Sequence, residues 1–286
     1  MGWMESLQAT IDFIEENLLE PIRIEEIARQ ANTSVSHFHR LFTVLTDSSV
    51  GEYIRRRRLT LAAHELSKSD QKIIDVAYKY GYETPEAFTK AFRRQHGITP
   101  SEARGFSGEL TIYNRLVIQV NLKGADPMKV RMMERGGFQI AGIKQEFSCV
   151  NGENLAGIPK MWDEVNGNGI DDLLFDINSG QIRGVLGVCV DVPSEEGPAI
   201  EYWIATEFVG NAPERLMTME IPAAKWAIFE VIGPMPHAMQ DMWKKILSEW
   251  FPSSGFEHTT TPSMEVYSSG NPSGPDYFSE IWIPVK

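Results

Sequence analysis

Val76-Ala77-Tyr78-Lys79-Tyr80-Gly81-Tyr82-Glu83-Thr84-Pro85-Glu86-Ala87-Phe88-Thr89-Lys90-Ala91-Phe92 spells a short helix, a turn and a second helix. Gly81 suits a left-handed helix end, Thr84 is a hydroxyl N-cap, and Pro85 fits the first helical position. Phe88, Ala91 and Phe92 fall on one inward face, which leaves Glu86, Thr89, Lys90, Arg93 and Arg94 outside. About fifty residues earlier the pattern occurs once already, as Ile27-Ala28-Arg29-Gln30-Ala31-Asn32-Thr33-Ser34-Val35-Ser36-His37-Phe38-His39-Arg40-Leu41-Phe42. There Asn32 closes the first helix and Ser34 caps the next. Phe38, Leu41 and Phe42 face inward, and Ser36, His37, His39 and Arg40 project to the opposite side.

Working outward, Leu7, Ile11, Ile14 and Leu18 recur at spacings of 4, 3 and 4, which predicts an amphipathic helix ended by Pro21. Between the two copies a longer helix is expected from about Gly51 to Ser67, with Tyr53, Ile54, Leu59, Leu61, Ala62 and Leu66 as core candidates. It carries four consecutive arginines, Arg55 to Arg58, which span more than one turn and so cannot all face one partner. Thr99-Pro100-Ser101-Glu102 is a capping box, expected to open a last short helix. A helix-turn-helix written twice makes double-stranded DNA the first candidate partner. Arg40 can pair bidentately with guanine, and Glu86 can accept from the cytosine amino group. His37 and His39, two residues apart, lie on different helix faces and do not pair on a metal.

The charge of −12 argues against nucleic acid until it is divided along the chain. From Arg29 to Arg104 there are 13 Lys/Arg against 8 Asp/Glu; from Gly108 to Lys286 there are 13 against 24. A basic unit that can approach phosphate is therefore joined to an acidic one that DNA would repel. Cys149 and Cys189 are too few for a disulfide framework and read as buried small hydrophobes. With no run of about 18 apolar residues and no leader, the chain is expected to be soluble and cytoplasmic, with no membrane partner. No cofactor or metal is expected.

Beyond a joint at Gly105 to Gly108 the pattern changes to period two, in Leu116 to Val120, Val130 to Glu134 and Phe138 to Phe147. Helices are expected near Ile158 to Val165 and from about Pro236 to Trp250. A second repeat lies here: Met161-Trp162-Asp163-Glu164-Val165 matches Met242-Trp243-Lys244-Lys245-Ile246, and Glu201-Tyr202-Trp203-Ile204 matches Glu280-Ile281-Trp282-Ile283. Each half reads strand, helix, strand, strand. In the second half the elements are Ala224 to Ile232, a helix to Trp250, Ser263 to Tyr267 and Phe278 to Val285. The fold class expected is an all-α double helix-turn-helix domain followed by an α+β domain, its antiparallel sheet curved around a cleft. In a strand, Glu280 and Trp282 share one face, which places acid and aromatic together.

Residues from about Pro21 to Arg104 resemble the AraC/XylS-type DNA-binding domain, through Ala28, Phe42, Tyr53, Ala77, Gly81, Tyr82, Phe88, Phe92, Gly97, Thr99 and Pro100. The resemblance implies a domain over 1–107 whose two recognition helices enter successive major-groove segments on one face of the duplex. It implies Ser36, His39 and Arg40, with His37 beside them, as readers in the first. In the second it implies Glu86, Thr89 and Lys90, with Arg93 following. Arg55 and Arg57 of the connecting helix are expected on phosphate.

Residues 110–286 form the second domain, and most of 128–286 resembles the GyrI-like effector-binding domain. The matching residues are Gly233-Pro234, Trp243, Trp250-Phe251-Pro252, Ser254-Gly255, Glu265-Val266-Tyr267 and Glu280-Ile281-Trp282-Ile283-Pro284. This resemblance implies a cleft that binds an amphipathic, often cationic, small molecule. Glu280 and Glu265 would carry that role, with Glu201 as the repeat partner of Glu280. Trp162, Tyr202, Trp203, Trp243, Tyr267 and Trp282 would be the walls. A cation over a tryptophan face gains about 0.5–2 kcal/mol.

The leading expectation is a transcription regulator, an activator by family habit, with promoter DNA, a small-molecule effector and RNA polymerase as partners. The alternatives are a GyrI-like hydrolase of small electrophiles, with Glu265 or Glu280 as base, and a protein-interaction module. No Ser-His-Asp series, phosphate loop or metal cluster supports other chemistry.

Overall fold

The computed structural model describes residues 3–31, 33–105, 108–117, 128–148, 153–192 and 199–286, apart from the side chains of Trp3, Met4, Ser36, His37, Arg40 and Leu155. The helical part consists of α1 (Trp3–Glu16), α2 (Ile24–Gln30), α3 (Val35–Thr46), α4 (Val50–Lys68), α5 (Ile73–Lys79) and α6 (Pro85–His96). Leu7, Ile11, Ile14 and Leu18 are all buried, on the face their spacing predicts. The side chain of Ser49 caps α4 by accepting from Glu52 N at 3.2 Å, and Thr84 caps α6 by accepting from Ala87 N at 3.1 Å. Leu59, Ala62, Ala63 and Leu66 of α4 meet Val76, Ala77, Phe88 and Phe92 in one core, so the connecting helix and the second helix-turn-helix fold as a body. Gly81 holds a positive φ of 79°, and a β-carbon there would stand 2.6 Å from Arg58 Nη1. The turn therefore needs glycine for its backbone, and a side chain there would also have to displace the end of Arg58.

Two expectations are corrected here. Thr99 and Glu102 do form the capping box, with Thr99 N donating to Glu102 Oε2 at 2.7 Å, but only a turn follows it, not a regular helix. Leu116 and Val117 are not in a strand, and 118–120 lie outside the described residues. Their stretch is tied to α4 instead: Arg57 Nη1 donates to Tyr113 O, Tyr113 N to Thr60 Oγ1, and Leu116 N to Tyr53 Oη. Backbone groups satisfied by side chains of α4 are not free for a ladder.

The second part runs β1 (Val130–Arg135), β2 (Phe138–Ser148), α7 (Glu153–Asn168), α8 (Ile170–Ile177), β3 (Val185–Val192), β4 (Ala199–Glu207), β5 (Met217–Ile221) and β6 (Ala224–Ile232). It continues through α9 (His237–Lys245), a π-helical turn (Ile246–Trp250), α10 (Phe251–Ser254), β7 (Met264–Tyr267) and β8 (Phe278–Val285). One antiparallel sheet has the order β1-β6-β8-β7-β3-β4-β2-β5. The two halves expected from the repeat are β2-β4-β3 and β6-β8-β7, joined where β3 pairs with β7. Strands β1 and β5, and helix α8, were not part of the expected repeat.

The sheet has to curl. Strands β1 and β2 stand near opposite ends of the order, yet Gly136-Gly137 alone joins them, and Pro222-Ala223 alone joins β5 to β6. Eight flat strands would span about 34 Å, whereas such a link reaches about 10 Å. The edges must therefore converge. One face of the curl is packed with Leu186, Val188, Trp203, Trp226, Ile228, Val266 and Trp282. On the other face Tyr202 and Ile204 pack against Met161 and Val165 of α7 and Leu174 of α8. By its contacts, Thr33–Asp47 groups with this second unit, where α3 packs on β3 and α9.

Candidate functional site

Strand register decides which candidate side chains meet. Glu265 lies opposite Gly187 and Ile281, whereas its neighbour Val266 lies opposite Glu280. Directly paired residues share a face and adjacent ones do not. Glu265, Tyr267 and Tyr202 therefore belong to the helix-covered face, and Glu280, Trp282, Glu201 and Trp203 to the other. The nine candidates form three clusters, not one cleft.

On the helix-covered face, Glu265 is 8% exposed. Trp243 Nε1 of α9 donates to its Oε1 at 2.8 Å, and Tyr267 Oη donates to its Oε2 at 2.8 Å. Trp162 of α7 meets Tyr267 edge-on, with ring centres 4.9 Å apart, and donates from Nε1 to Tyr202 Oη at 3.1 Å. Gly187 leaves the room for this: a β-carbon there would be 2.3 Å from Tyr202 Oη. A carboxylate held at the middle of two indoles and two phenols is equipped to receive a cation with apolar flanks.

On the other face each glutamate already has a cation from the chain. Glu280 accepts from Trp282 Nε1 at 2.7 Å and from Arg131 Nη2 at 2.8 Å, and the guanidinium stands 5.8 Å from the Trp282 ring centre. Glu201 accepts from Trp203 Nε1 at 2.7 Å and from Lys144 Nζ at 2.5 Å, with the ammonium 5.3 Å from the Trp203 ring centre. Sequence reasoning missed both cations. Lys144 lies directly opposite Trp203, but the residue opposite Trp282 is Ile228, and Arg131 reaches in from one strand further out. Gly187 was missed as well, and no signal in one sequence marks it.

The DNA-reading candidates divide too. On α6, Glu86, Lys90 and Arg93 are exposed and Thr89 is half-buried, its hydroxyl donating to Pro85 O at 2.7 Å. Spacings of 3, 4 and 7 from Glu86 put all four on one stripe. On α3, the side chains of Ser36, His37 and Arg40 lie outside the described residues. His39 does not project outward: it is 6% exposed, and burial drives its pKa down to about 4 despite the opposing charge of Asp191. The helical face assigned to it from Phe38, Leu41 and Phe42 was too narrow.

Arg57 is the other correction. It is held, mostly out of solvent, in a bidentate pair with Glu15, through Nε at 2.8 Å and Nη2 at 2.7 Å. Burial raises the Glu15 carboxyl, but the bonds from Arg57 and Tyr53 more than offset that and hold it below its usual range. Arg58 donates to Leu18 O and Glu20 O. Arg55 and Arg56 both pair with Glu52 and remain partly exposed, so Arg55 can still reach phosphate. The run of arginines mainly ties α4 to α1 and its following turn. No group of residues able to hold a metal, and no helix long and apolar enough to cross a membrane, occurs among the described residues.

With this geometry in place, the chain can be set beside known proteins. The family described as GyrI-like small molecule binding domain matches residues 128–286, and a helix-turn-helix domain of the AraC type matches 27–105. Regulatory protein SoxS of Salmonella typhimurium is 36% identical over 104 residues, which are 36% of this chain and 97% of that one. The uncharacterized HTH-type transcriptional regulator YbfP of Bacillus subtilis is 40% identical over 111 residues, 39% of this chain and 38% of that one. The solved structure of SAV2435 bound to tetraphenylphosphonium is 25% identical, covers 56% of this chain and 94% of its own, and superposes with a TM-score of 0.49.

Proposed function

The chain belongs to the GyrI-like small-molecule-binding family and carries an AraC-type helix-turn-helix domain ahead of it, and from that premise we propose a ligand-responsive transcription activator. The N-terminal unit binds promoter DNA, with Glu86, Thr89, Lys90 and Arg93 of α6 as one base- and phosphate-facing stripe. Arg55 adds a phosphate contact. The ligand is a small amphipathic cation, and its site is the Glu265 cluster with Trp162, Tyr202, Trp243 and Tyr267. The observation that carries this reading is the buried Glu265 carboxylate, clamped by an indole and a phenol where helices α7 and α9 both present a tryptophan. Glu280 and Glu201 stay outside the site because Arg131 and Lys144 hold them.

RNA polymerase is the proposed further partner, and the cytoplasm the proposed compartment. No turnover is proposed: SoxS and YbfP are both named as regulators. Coupling requires that the ligand bind two states of the protein with different affinity. The test begins with selection of a preferred duplex from a random pool, followed by transcription from it with and without tetraphenylphosphonium. Lys90→Ala should weaken binding to the selected duplex and relax sequence choice near its contact. A chain that selects no duplex, or whose transcription ignores every amphipathic cation, is not this regulator.

A further inference from the structure

At one end of the curled sheet, on the face away from Glu265, lies a cavity of about 250 Å³. Its lining carries three guanidinium groups, from Arg131, Arg135 and Arg183, against one carboxylate, Glu280. That carboxylate is already engaged by Arg131. Arg183 donates from Nη1 to the backbone and side-chain oxygens of Asn178, both neutral acceptors, at 3.1 Å each. With Arg131 paired to Glu280 and Arg135 to Glu207, the guanidinium of Arg183 is the one in the lining bonded to neutral acceptors, so the lining carries a net positive charge of one, the reverse of what Glu280 and Trp282 alone suggest.

Arg135 is the decisive residue. Its side chain is only 10% exposed, and its Nη2 donates to the buried Glu207 at 2.5 Å. Its Cζ stands 4.1 Å from the ring centre of Phe138. The remaining terminal nitrogen, Nη1, is buried and has no acceptor among the described residues. A buried, charged N–H donor left without an acceptor is costly, and folded proteins rarely leave one so. Arg135 also borders an open groove on its other side, but that groove presents the carboxylates of Glu207 and Glu220. By its charges the first cavity, with Arg183 beside Arg135, suits an anion better than the second, which presents two carboxylates.

We infer that this cavity is a second ligand site, which takes a small aromatic carboxylate. The carboxylate accepts from Arg135 Nη1, with Arg183 and Gln181 completing its shell. The ring rests on Trp282, Phe278 and Val266. Arg135 Nη1 gives the carboxylate one charge-assisted bond, and the apolar walls favour an aromatic acid over a spherical anion. The volume limits the occupant to about one ring with its acid group. This site does not rest on the cation site: the two lie on opposite faces of the sheet and take opposite charges.

The experiment uses the full chain and three probes of one shape and different charge: benzoate, benzamide and benzamidine. Binding is followed by calorimetry and by the indole N–H resonance of Trp282, assigned with Trp282→Phe. Benzoate should shift that resonance saturably and bind at least about tenfold more tightly than benzamide or benzamidine, about 1.4 kcal/mol. Arg135→Lys keeps a charge opposite Glu207 while removing Nη1, and should weaken benzoate about tenfold. Arg183→Gln is exposed, should not disturb folding, and should weaken benzoate several-fold. The inference is overturned if benzamide or benzamidine equals benzoate, or if benzoate leaves the Trp282 resonance unmoved. It is also overturned if both substitutions leave benzoate affinity unchanged. Should Arg135→Lys fail to fold, Arg183→Gln and the probe series decide.

Discussion

The two faces of the sheet each hold a carboxylate bonded to an indole N–H, yet they are built for different ends. Glu280 and Glu201 receive their second partner, Arg131 or Lys144, from the chain. Glu265 receives a phenol and stands among further aromatic rings. The lesson is that a glutamate beside a tryptophan names a cation site without saying who supplies the cation. On one face the chain supplies it; on the other Glu265 stands among four aromatic side chains.

The contrast can be broken by substitution, and the largest effect should come from the most buried ion pair. Arg135→Ala leaves Glu207 in the interior without its counter-charge, and should cost about 3–5 kcal/mol in urea unfolding. A loss below about 1 kcal/mol would mean that chain-supplied cations on this face are ornamental.

Next is pH. His39 has a folded pKa depressed to about 4 from 6.5, so the unfolded chain binds its proton more readily. The stability it allows is complete above pH 6.5 and is lost as pH falls toward 4, by roughly 3 kcal/mol. Urea midpoints across that range should show the slope, and His39→Leu should flatten it. An unchanged slope would place the titration elsewhere.

Third, a lipophilic cation such as tetraphenylphosphonium is expected to stabilise the protein by about 2.7 kcal/mol at roughly 100 times Kd, and Glu265→Gln should abolish that gain. Thermal unfolding with and without the cation reads it directly. The smallest effect belongs to Glu280→Gln. Arg131 is half exposed, so the pair is screened and its loss should cost about 0.5 kcal/mol, with the response to the cation retained. If Glu280→Gln and not Glu265→Gln removes that response, the two faces have been assigned the wrong way round.

Much of this architecture was legible in the residues. Gly81, Thr84 and Pro85 mark the second helix-turn-helix because each answers a local backbone need, and β8 follows from the alternation in Phe278 to Val285. What escaped depends on partners far away in sequence. Arg57 reads as a surface cation until Glu15, forty-two residues earlier, is found beside it. Arg131 serves Glu280 across 149 positions, from a strand that the internal repeat does not contain. Glu265 and Glu280 read as one site because strand alternation fixes faces within a strand, whereas the register between β7 and β8 fixes them across strands. Period and capping are local; register and ion pairing are not.

Strand β8 lies between β6 and β7, inside the sheet, although it follows both along the chain. Synthesis runs in sequence order, at about 5–20 residues per second. Helix α4 and the second helix-turn-helix, α5 and α6, share one core built from nearby sequence and can fold while the remainder is still being made. The sheet cannot. Until Phe278 to Val285 leaves the ribosome, β6 and β7 each present an open edge where a neighbouring nascent chain could pair. In the cell, the second helix-turn-helix thus exists for seconds before the sheet is complete, whereas α3 of the first waits for β3 and α9.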